Sequence, residues 1–533
     1  MRAFLAICLL CGAVALDCQA AEPRHTGDTG AEKPMPAAPE AAEAVDEKPA
    51  ITHHAIEVAG GTLQYAATAA TLPIKDASGK LQAKMFFVAY TKEPSADLAS
   101  RPITFAFNGG PGAASVFLHL GGLGPKRVPL AADGTALPAT TRLVDNPWTW
   151  LDVTDLVFVD PIGTGYSRAA AGVDAKQFYD VAKDIRVASA FVRRYVTAYG
   201  RWLSPKFVVG ESYGTARAAG LVDDLQDSAG LYVDGVLLIS SALNFSTFTF
   251  RPGNDLPYAL ALPSYTASAW YHKKLAPELQ SDLSKSLTQV EQWATSEYLV
   301  ALAQGDRMSD AERSRVAERI AHYTGLDPAY VERSRLRVGE ERFAKRLLRN
   351  QSRIVARLDG RVTGIDSSPA SEFVHSDPAL FAAIGPYVAA FYDYVRKDLG
   401  FATDLRYEFL SDEVNHAWQW SSSGQGALYT GDDLAEAMTR DNRLRVFAAA
   451  GCFDLATPYL AQKYTFEHLE IDPRLRDNIT FTLYRAGHQI YTDLASMQQL
   501  KADAAAFIRA ARSGATPDAS TERDSSAGDA VGK

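Results

Sequence analysis

The sequence predicts an α/β protein, with a mostly parallel central sheet and a largely helical insertion dividing it. Two observations carry that prediction. Short, continuously apolar runs end in glycine-bearing loops, with helix-compatible stretches between several of them. Parallel strands read this way because helices cover both faces of their sheet. A long stretch of helical apolar spacing then interrupts the alternation before strands resume.

The elements follow in order. Ala55–Val58 and Thr62–Tyr65 alternate, and Ala59-Gly60-Gly61 between them reads as a hairpin turn. Lys84–Tyr90 is a further strand. Ile103–Phe107 runs into Asn108-Gly109-Gly110, Leu156–Val159 into Asp160-Pro161, Phe207–Val209 into Gly210, and Val236–Ile239 into two serines. Ala182–Tyr199 is helical. From about Ser246 to Gln425 the pattern becomes mostly helical. Leu275–Gln304 shows helical apolar spacing, and Ser309–Glu312 forms a capping box for a helix ending near Gly325. Ten Lys or Arg lie between Arg333 and Arg361, which a charged helix face explains better than a nucleic-acid site. Strands resume at Leu444–Phe447 and Ile479–Leu483.

Composition bounds the reading. At about 150 residues per domain, 533 residues suggest roughly three domains, or one large domain with an insertion. A hydrophobic fraction of 47% with 22% charged residues excludes a fully disordered chain. No apolar run reaches the roughly 20 residues of a membrane span. The net charge of −9 disfavours a nucleic-acid partner.

The ends read differently from the middle. Arg2, the apolar run Ala3–Leu16 and a small-x-small site before Ala21 describe a secretory signal peptide over residues 1–20. A buried N-terminal helix and a lipid anchor on Cys18 are the alternatives. Removing the leader would take Cys8, Cys11 and Cys18 with it, leaving Cys452 and no intramolecular disulfide. Residues 21–50 read as a disordered spacer and 513–533 as a disordered tail. The expected division is therefore a core over 51–245 and 426–512, interrupted by the insertion 246–425, in a periplasmic or secreted protein.

Gly210-Glu211-Ser212-Tyr213-Gly214 is the one G-x-S-x-G of the chain. A strand precedes it and a helix-compatible stretch follows, the context of a nucleophile elbow. Such a turn exposes the Ser212 hydroxyl and aims the Tyr213 N–H at the same space. A serine hydroxyl needs a histidine base and an acid to orient that base. Asp454 and His488 both follow strands in the chain order of such hydrolases, and the long gap after Ser212 holds the insertion. His119, His416 and His468 read as structural, and His53 and His54 as surface residues. Asn108–Gly112 fits the loop that supplies a second oxyanion donor. Gly163-Thr164-Gly165 lacks the lysine and third glycine of a phosphate loop.

These segments together resemble the serine carboxypeptidases, peptidase family S10, whose fold is the α/β hydrolase. The resemblance rests on Asn108–Gly112, Asp160–Ser167, Gly210–Gly214, Gly451–Asp454 and Gly487-His488, in order over about residues 51–512. Arg357-Leu358-Asp359-Gly360-Arg361 looks like the bacterial branch. The resemblance implies a triad of Ser212, Asp454 and His488, and an oxyanion hole from the N–H groups of Gly110 and Tyr213. It implies that Asn108, Gly109 and Glu211 hold the substrate's terminal carboxylate, with no metal or other cofactor. Two carboxylates repel, so one of the Glu211–substrate pair must carry a proton, and peptidase activity is expected to favour acidic pH. The expected partners are peptides with a free C-terminus. The chain departs from the family pattern at Ala106, Ala113 and Gln489, where the family has tryptophan, cysteine and methionine. In the family the methionine at the position of Gln489 borders the leaving-group side, so side-chain preference does not transfer. An esterase or acyltransferase with the same triad, or a catalytically silent binding protein, are the competing readings.

Overall fold

The computed structural model describes residues 48–94, 97–129, 137–420 and 427–513. The expected leader, most of the spacer, and the tail beyond Ser513 lie outside the described residues, as do Cys8, Cys11 and Cys18.

Nine strands form the continuous path of the central sheet: β1 (Ala50–Val58), β2 (Gly61–Lys75), β3 (Leu81–Glu93), β4 (Ile103–Phe107), β5 (Asp155–Val159), β6 (Lys206–Glu211), β7 (Gly235–Ile239), β8 (Arg445–Gly451) and β9 (Ile479–Tyr484). Their spatial order is β1-β2-β3-β5-β4-β6-β7-β8-β9, and a short tenth strand, Arg168–Ala169, pairs with β3. The six strands from β5 to β9 along that path are parallel to one another, and β1, β2, β3 and β5 pair antiparallel in succession. The expected hairpin closes with Val58 opposite Gly61.

The central strands are buried throughout, which is why their sequences are unbroken apolar runs. Side chains alternate between two cores. Along β4, Ile103, Phe105 and Phe107 enter one and Ala106 the other. The helices Val181–Ala198 and Tyr213–Ala229 cover the first of these faces through Phe191, Val192, Leu221 and Val222. The second face is covered in part by Tyr387, Phe391 and Tyr394 of the helix Pro378–Lys397.

A third core lies within the inserted helices, where Tyr265 stacks on Phe343 with ring centroids 4.2 Å apart. It also takes in Cys452, Phe453 and Tyr459, which follow β8. The capping-box helix spans Asp310–Thr324, with the Ser309 hydroxyl accepting from the Glu312 N–H and Gly325 left-handed at its end. The single helical stretch expected over Leu275–Gln304 is instead broken into Pro277–Gln280, Leu283–Trp293, a π-turn at Ala294–Tyr298 and Leu299–Gln304. Asp282 supplies one physical reason, since its carboxylate caps the second helix by accepting from the Lys285 N–H.

Two expected boundaries move by one residue. Ala50 pairs with Ala69 in the sheet, so the strand begins one residue inside the expected spacer. The last helix, Leu494–Ser513, carries its final turn one residue into the expected tail. His119 is buried, with its ring 2.6 Å from the Tyr90 hydroxyl. His416 and His468, expected to be structural, are exposed, and each ring nitrogen Nδ1 lies 2.7 Å from the carbonyl four residues earlier, of Asp412 and Tyr464.

Candidate active site

Ser212 stands between β6 and the helix Tyr213–Ala229, at φ 58° and ψ −130°. A non-glycine residue at that φ is strained, and the strain marks a sharp strand-to-helix turn. The turn admits no side chain beside it: a Cβ on Gly210 would lie 2.2 Å from the Gly214 carbonyl oxygen. The Ser212 N–H donates to the Ile239 carbonyl at 3.0 Å, and its carbonyl accepts from the Thr215 hydroxyl at 2.6 Å. Tyr213 opens the helix, so its N–H has no partner within that helix.

The glycine loop after β4 lies directly against this turn. A Cβ on Gly109 would sit 2.5 Å from the Tyr213 nitrogen and 2.6 Å from the Gly214 nitrogen. Only glycine allows the loop and the elbow to approach so closely, and Gly110 follows at φ 100°. The loop is pinned from behind. The Ser115 hydroxyl donates to the Val159 carbonyl at 2.5 Å, the Ser115 N–H donates to Asp160 at 2.9 Å, and Asn108 Oδ1 accepts the Leu118 N–H at 2.9 Å.

Beneath loop and elbow lies a buried ion pair that sequence reasoning missed. Arg217 Nε donates to Asp184 Oδ2 at 2.7 Å, while Arg217 Nη1 donates to the Asn108 carbonyl at 2.7 Å. The Tyr213 hydroxyl donates to the same Asp184 oxygen at 3.1 Å. One guanidinium thereby ties the residue before the glycines to the residue after the serine. The available signal was a charged residue on the otherwise apolar face of each helix.

Asp454 and His488 come together from the loops after β8 and β9. His488 Nδ1 is 2.7 Å from Asp454 Oδ2. Asp454 Oδ1 accepts the N–H groups of Ala456 and Thr457 at 2.8 and 3.0 Å, and Oδ2 accepts the Thr457 hydroxyl at 2.7 Å. Both side chains are buried. Burial opposes the charge on His488, but the Asp454 charge and hydrogen bond, with Glu211 behind them, outweigh it and raise the imidazole pKa. With Nδ1 committed to Asp454, proton transfer falls to Nε2. The Ser240 hydroxyl fixes the loop by donating to the His488 carbonyl at 2.6 Å. Nothing in the sequence singled out Thr457 or Ser240.

Glu211 is only 4% exposed, and its Oε1 accepts from Asn108 Nδ2 at 2.9 Å. Among the described residues neither Oε2 nor the Tyr491 hydroxyl has a hydrogen-bond partner, and the two side chains act on one another's titration. Burial pushes the carboxyl up to about 7, against the opposing pull of His488, Tyr491 and Asn108. The glycine loop Asn108–Gly110 and the elbow Glu211–Tyr213 thus adjoin directly, and Asp454 with His488 forms its own hydrogen-bonded pair. Tyr491, three residues after His488, carried no motif that would have flagged it. Cys452 is buried near Arg361 and Asp359, its thiol pushed up to about 12 by burial, and so is not a reactive group.

A mostly parallel sheet with a strained serine turn after one strand and a carboxylate–histidine pair after its last strands has the α/β-hydrolase fold. The serine carboxypeptidase family model matches residues 75–501, and the chain belongs to that family. A carboxypeptidase Y homologue of Arthroderma benhamiae is 32% identical over 152 residues, covering 27% of this chain and 27% of the relative. The retinoid-inducible serine carboxypeptidase of Rattus norvegicus is 30% identical over 144 residues, covering 26% and 28%. The matches span about a quarter of the length of these curated relatives. Among solved structures, the prohormone-processing carboxypeptidase Kex1 of Saccharomyces cerevisiae superposes with a TM-score of 0.52 at 15% identity, covering 83% of this chain and 91% of that one. That likeness is one of fold.

Proposed function

We propose that this chain is a serine carboxypeptidase, releasing C-terminal amino acids from peptides through an acyl-enzyme. The observation that carries the reading is the buried Asn108–Glu211 pair joined at 2.9 Å directly before Ser212, because an ester or an amide has no carboxylate for that pair to receive. In this reading His488 takes the proton from Ser212 as the hydroxyl attacks the last peptide carbonyl. Asp454 orients the imidazole and balances the charge it gains. The N–H groups of Gly110 and Tyr213 hold the oxyanion. His488 then delivers its proton to the leaving amino acid, and water hydrolyses the acyl-enzyme.

Asn108, Gly109 and Glu211 bind the substrate carboxylate, and Glu211 must be protonated to donate to it. Glu211 and His488 act on one another's charge, so they titrate as a pair. The productive arrangement puts the proton on Glu211 and leaves His488 free to act as the base. Binding a second carboxylate beside Glu211 favours that arrangement. Rising pH removes the proton and leaves two anions facing one another, which gives the preference for acidic conditions.

Three further assignments belong to the same proposal. The core spans 51–245 and 426–512 with the insertion at 246–425, and the insertion shapes the side-chain pocket. The leader exports the chain to the periplasm or beyond; among the described residues no helix is long and apolar enough to cross a membrane. Membership of the bacterial branch rests on Arg357–Arg361 alone.

A blocked dipeptide and its C-terminal amide test the reading together. The acid is expected to be cleaved far faster below about pH 7, the value toward which burial moves Glu211. Equal cleavage of both would leave an esterase or acyltransferase as the better reading. Failure of a fluorophosphonate probe to label Ser212 in folded protein would leave the silent binding protein.

A further inference from the structure

Arg357–Arg361 forms the tip of a hairpin inside the insertion, between the paired strands Arg353–Val355 and Thr363–Ile365. Its backbone reaches both triad loops. The Leu358 carbonyl accepts the His488 N–H at 2.6 Å, and the Arg357 carbonyl accepts the Leu455 N–H at 3.0 Å. The Gly360 N–H donates to the Phe453 carbonyl at 2.9 Å. One tip therefore hydrogen-bonds the base residue itself and both neighbours of the acid.

The contact is close and braced. A Cβ on Gly487 would lie 2.5 Å from both the Asp359 Cβ and the Leu358 carbonyl oxygen. Arg361 holds Asp359 through Nε at 3.0 Å and Nη2 at 2.7 Å, and its Nη1 donates to the Arg485 carbonyl at 3.0 Å. Its guanidinium also lies over the Phe453 ring, 4.9 Å from the centroid. Asp377 secures the other end by accepting the Arg357 and Leu358 N–H groups at 2.7 and 3.2 Å. The Arg357 side chain donates from Nε to Glu340 at 2.9 Å.

We propose that Arg357–Arg361 is a positioning segment of the triad, clamping the acid and base loops together with its backbone and presenting Arg357 as a fixed cation beside them. This rests on the triad assignment made above. The insertion is then part of the catalytic apparatus as well as a cover over it.

The charged groups that act on His488 are Asp454 and Glu211, which favour its protonated form, and Arg357, which disfavours it. Those that act on Glu340 are Arg357, Glu341 and Asp454. Removing the Arg357 charge leaves the anions unopposed, so His488 holds its proton to higher pH and the base becomes available later.

The test measures the rate of Ser212 labelling by a small uncharged fluorophosphonate across pH, on the folded full-length chain. This probe has no C-terminus, so it reports on the triad without the peptide-binding surface. Arg357→Gln is expected to move the acid limb of the labelling profile upward by roughly half a pH unit or more, and Arg357→Lys to restore it. Arg361→Lys keeps the charge but loses the forked grip on Asp359. It is expected to lower the labelling plateau about tenfold without moving the limb, as a loosened catalytic geometry does. Folded Arg357→Gln and Arg361→Lys proteins with the wild-type limb and plateau would overturn the proposal. If Arg357→Gln does not fold, Arg361→Lys decides by its plateau. Variants that show these shifts, beside a wild type that is labelled but spares peptide acids, would overturn the carboxypeptidase reading alone. Wild type that is not labelled would overturn both.

Discussion

The site has two walls, each with a buried carboxylate, and they furnish those carboxylates in opposite ways. On the acid–base wall, Asp454 receives two backbone N–H groups, the Thr457 hydroxyl and the His488 ring. On the elbow wall, Glu211 receives one side-chain donor, and burial pushes it up to about 7. A carboxyl ringed by donors is suited to be an anion, whereas one with a single donor in a dry setting keeps its proton. The contrast is between a carboxylate held by four donors beside His488 and a carboxyl that burial pushes up beside the elbow. Division of labour between two acids comes from their surroundings, since the side-chain chemistry is nearly the same.

The most damaging way to break this contrast is Asp454→Asn. Oδ1 of Asp454 faces two N–H donors, so the amide oxygen must take that place and the amide nitrogen must face His488. His488 Nδ1 then becomes an acceptor, its proton moves to Nε2, and the ring can no longer take the serine proton. We expect kcat to fall about 10⁴-fold, the scale known for the same change in a serine protease triad. Steady-state hydrolysis of a blocked dipeptide checks this. A loss of less than about tenfold would show that the histidine orientation does not depend on this acid.

The elbow wall has its own brace, and Arg217→Met tests it. The change strands Asp184 in the core with the Tyr213 hydroxyl as its remaining side-chain partner. Breaking a buried pair from one side costs roughly 3–5 kcal/mol. Urea unfolding measures the loss, and a destabilisation below about 1 kcal/mol would mean the pair is not buried as described. The double variant Asp184→Leu with Arg217→Met removes both charges and is expected to regain much of the stability. Its activity is expected to stay low, because the Asn108 carbonyl and the Tyr213 hydroxyl no longer share an anchor.

The same contrast explains what could be read from sequence. The strands β4, β5 and β7 were legible because burial on both faces forces unbroken apolar runs, whereas β9, at the sheet's edge and half-buried, was legible by its alternation. The elbow was legible because its turn tolerates so few residues at Gly210 and Gly214. Residues that act through distance in the fold left no comparable mark. Asp184 and Arg217 lie on different helices, and Thr457 differs from any other threonine only in facing Asp454. The Arg357–Arg361 segment was visible as a pattern, but its grip on His488 depends on a hairpin of the insertion returning to the sheet. The break in Leu275–Gln304 was hidden because Asp282 fits a helix face as readily as a cap.

Glu211→Gln sharpens the comparison most finely, because it keeps shape and removes only the exchangeable proton. Burial raises Glu211 from 4.5 to about 7, so between those values the folded chain holds a proton that the unfolded chain has released. The sign follows directly: wild-type stability falls as pH rises through this window, because ionising Glu211 in place is unfavourable. Below about pH 4.5 both states carry the proton, and the variant gains nothing. Above about pH 7 the variant is expected to be more stable by about 3 kcal/mol, since each pH unit across that window is worth about 1.4 kcal/mol. Thermal melts at pH 4 and pH 8 read the difference, with the gap between variant and wild type opening only at the higher value. The activity profile should change in parallel. Wild-type cleavage of peptide acids declines as pH rises through about 7, while the Gln amide donates at any pH and removes that decline. An unchanged profile would mean that Glu211 does not meet the substrate carboxylate. A gap in melting temperature already present at pH 4 would mean that packing rather than the proton separates the two side chains.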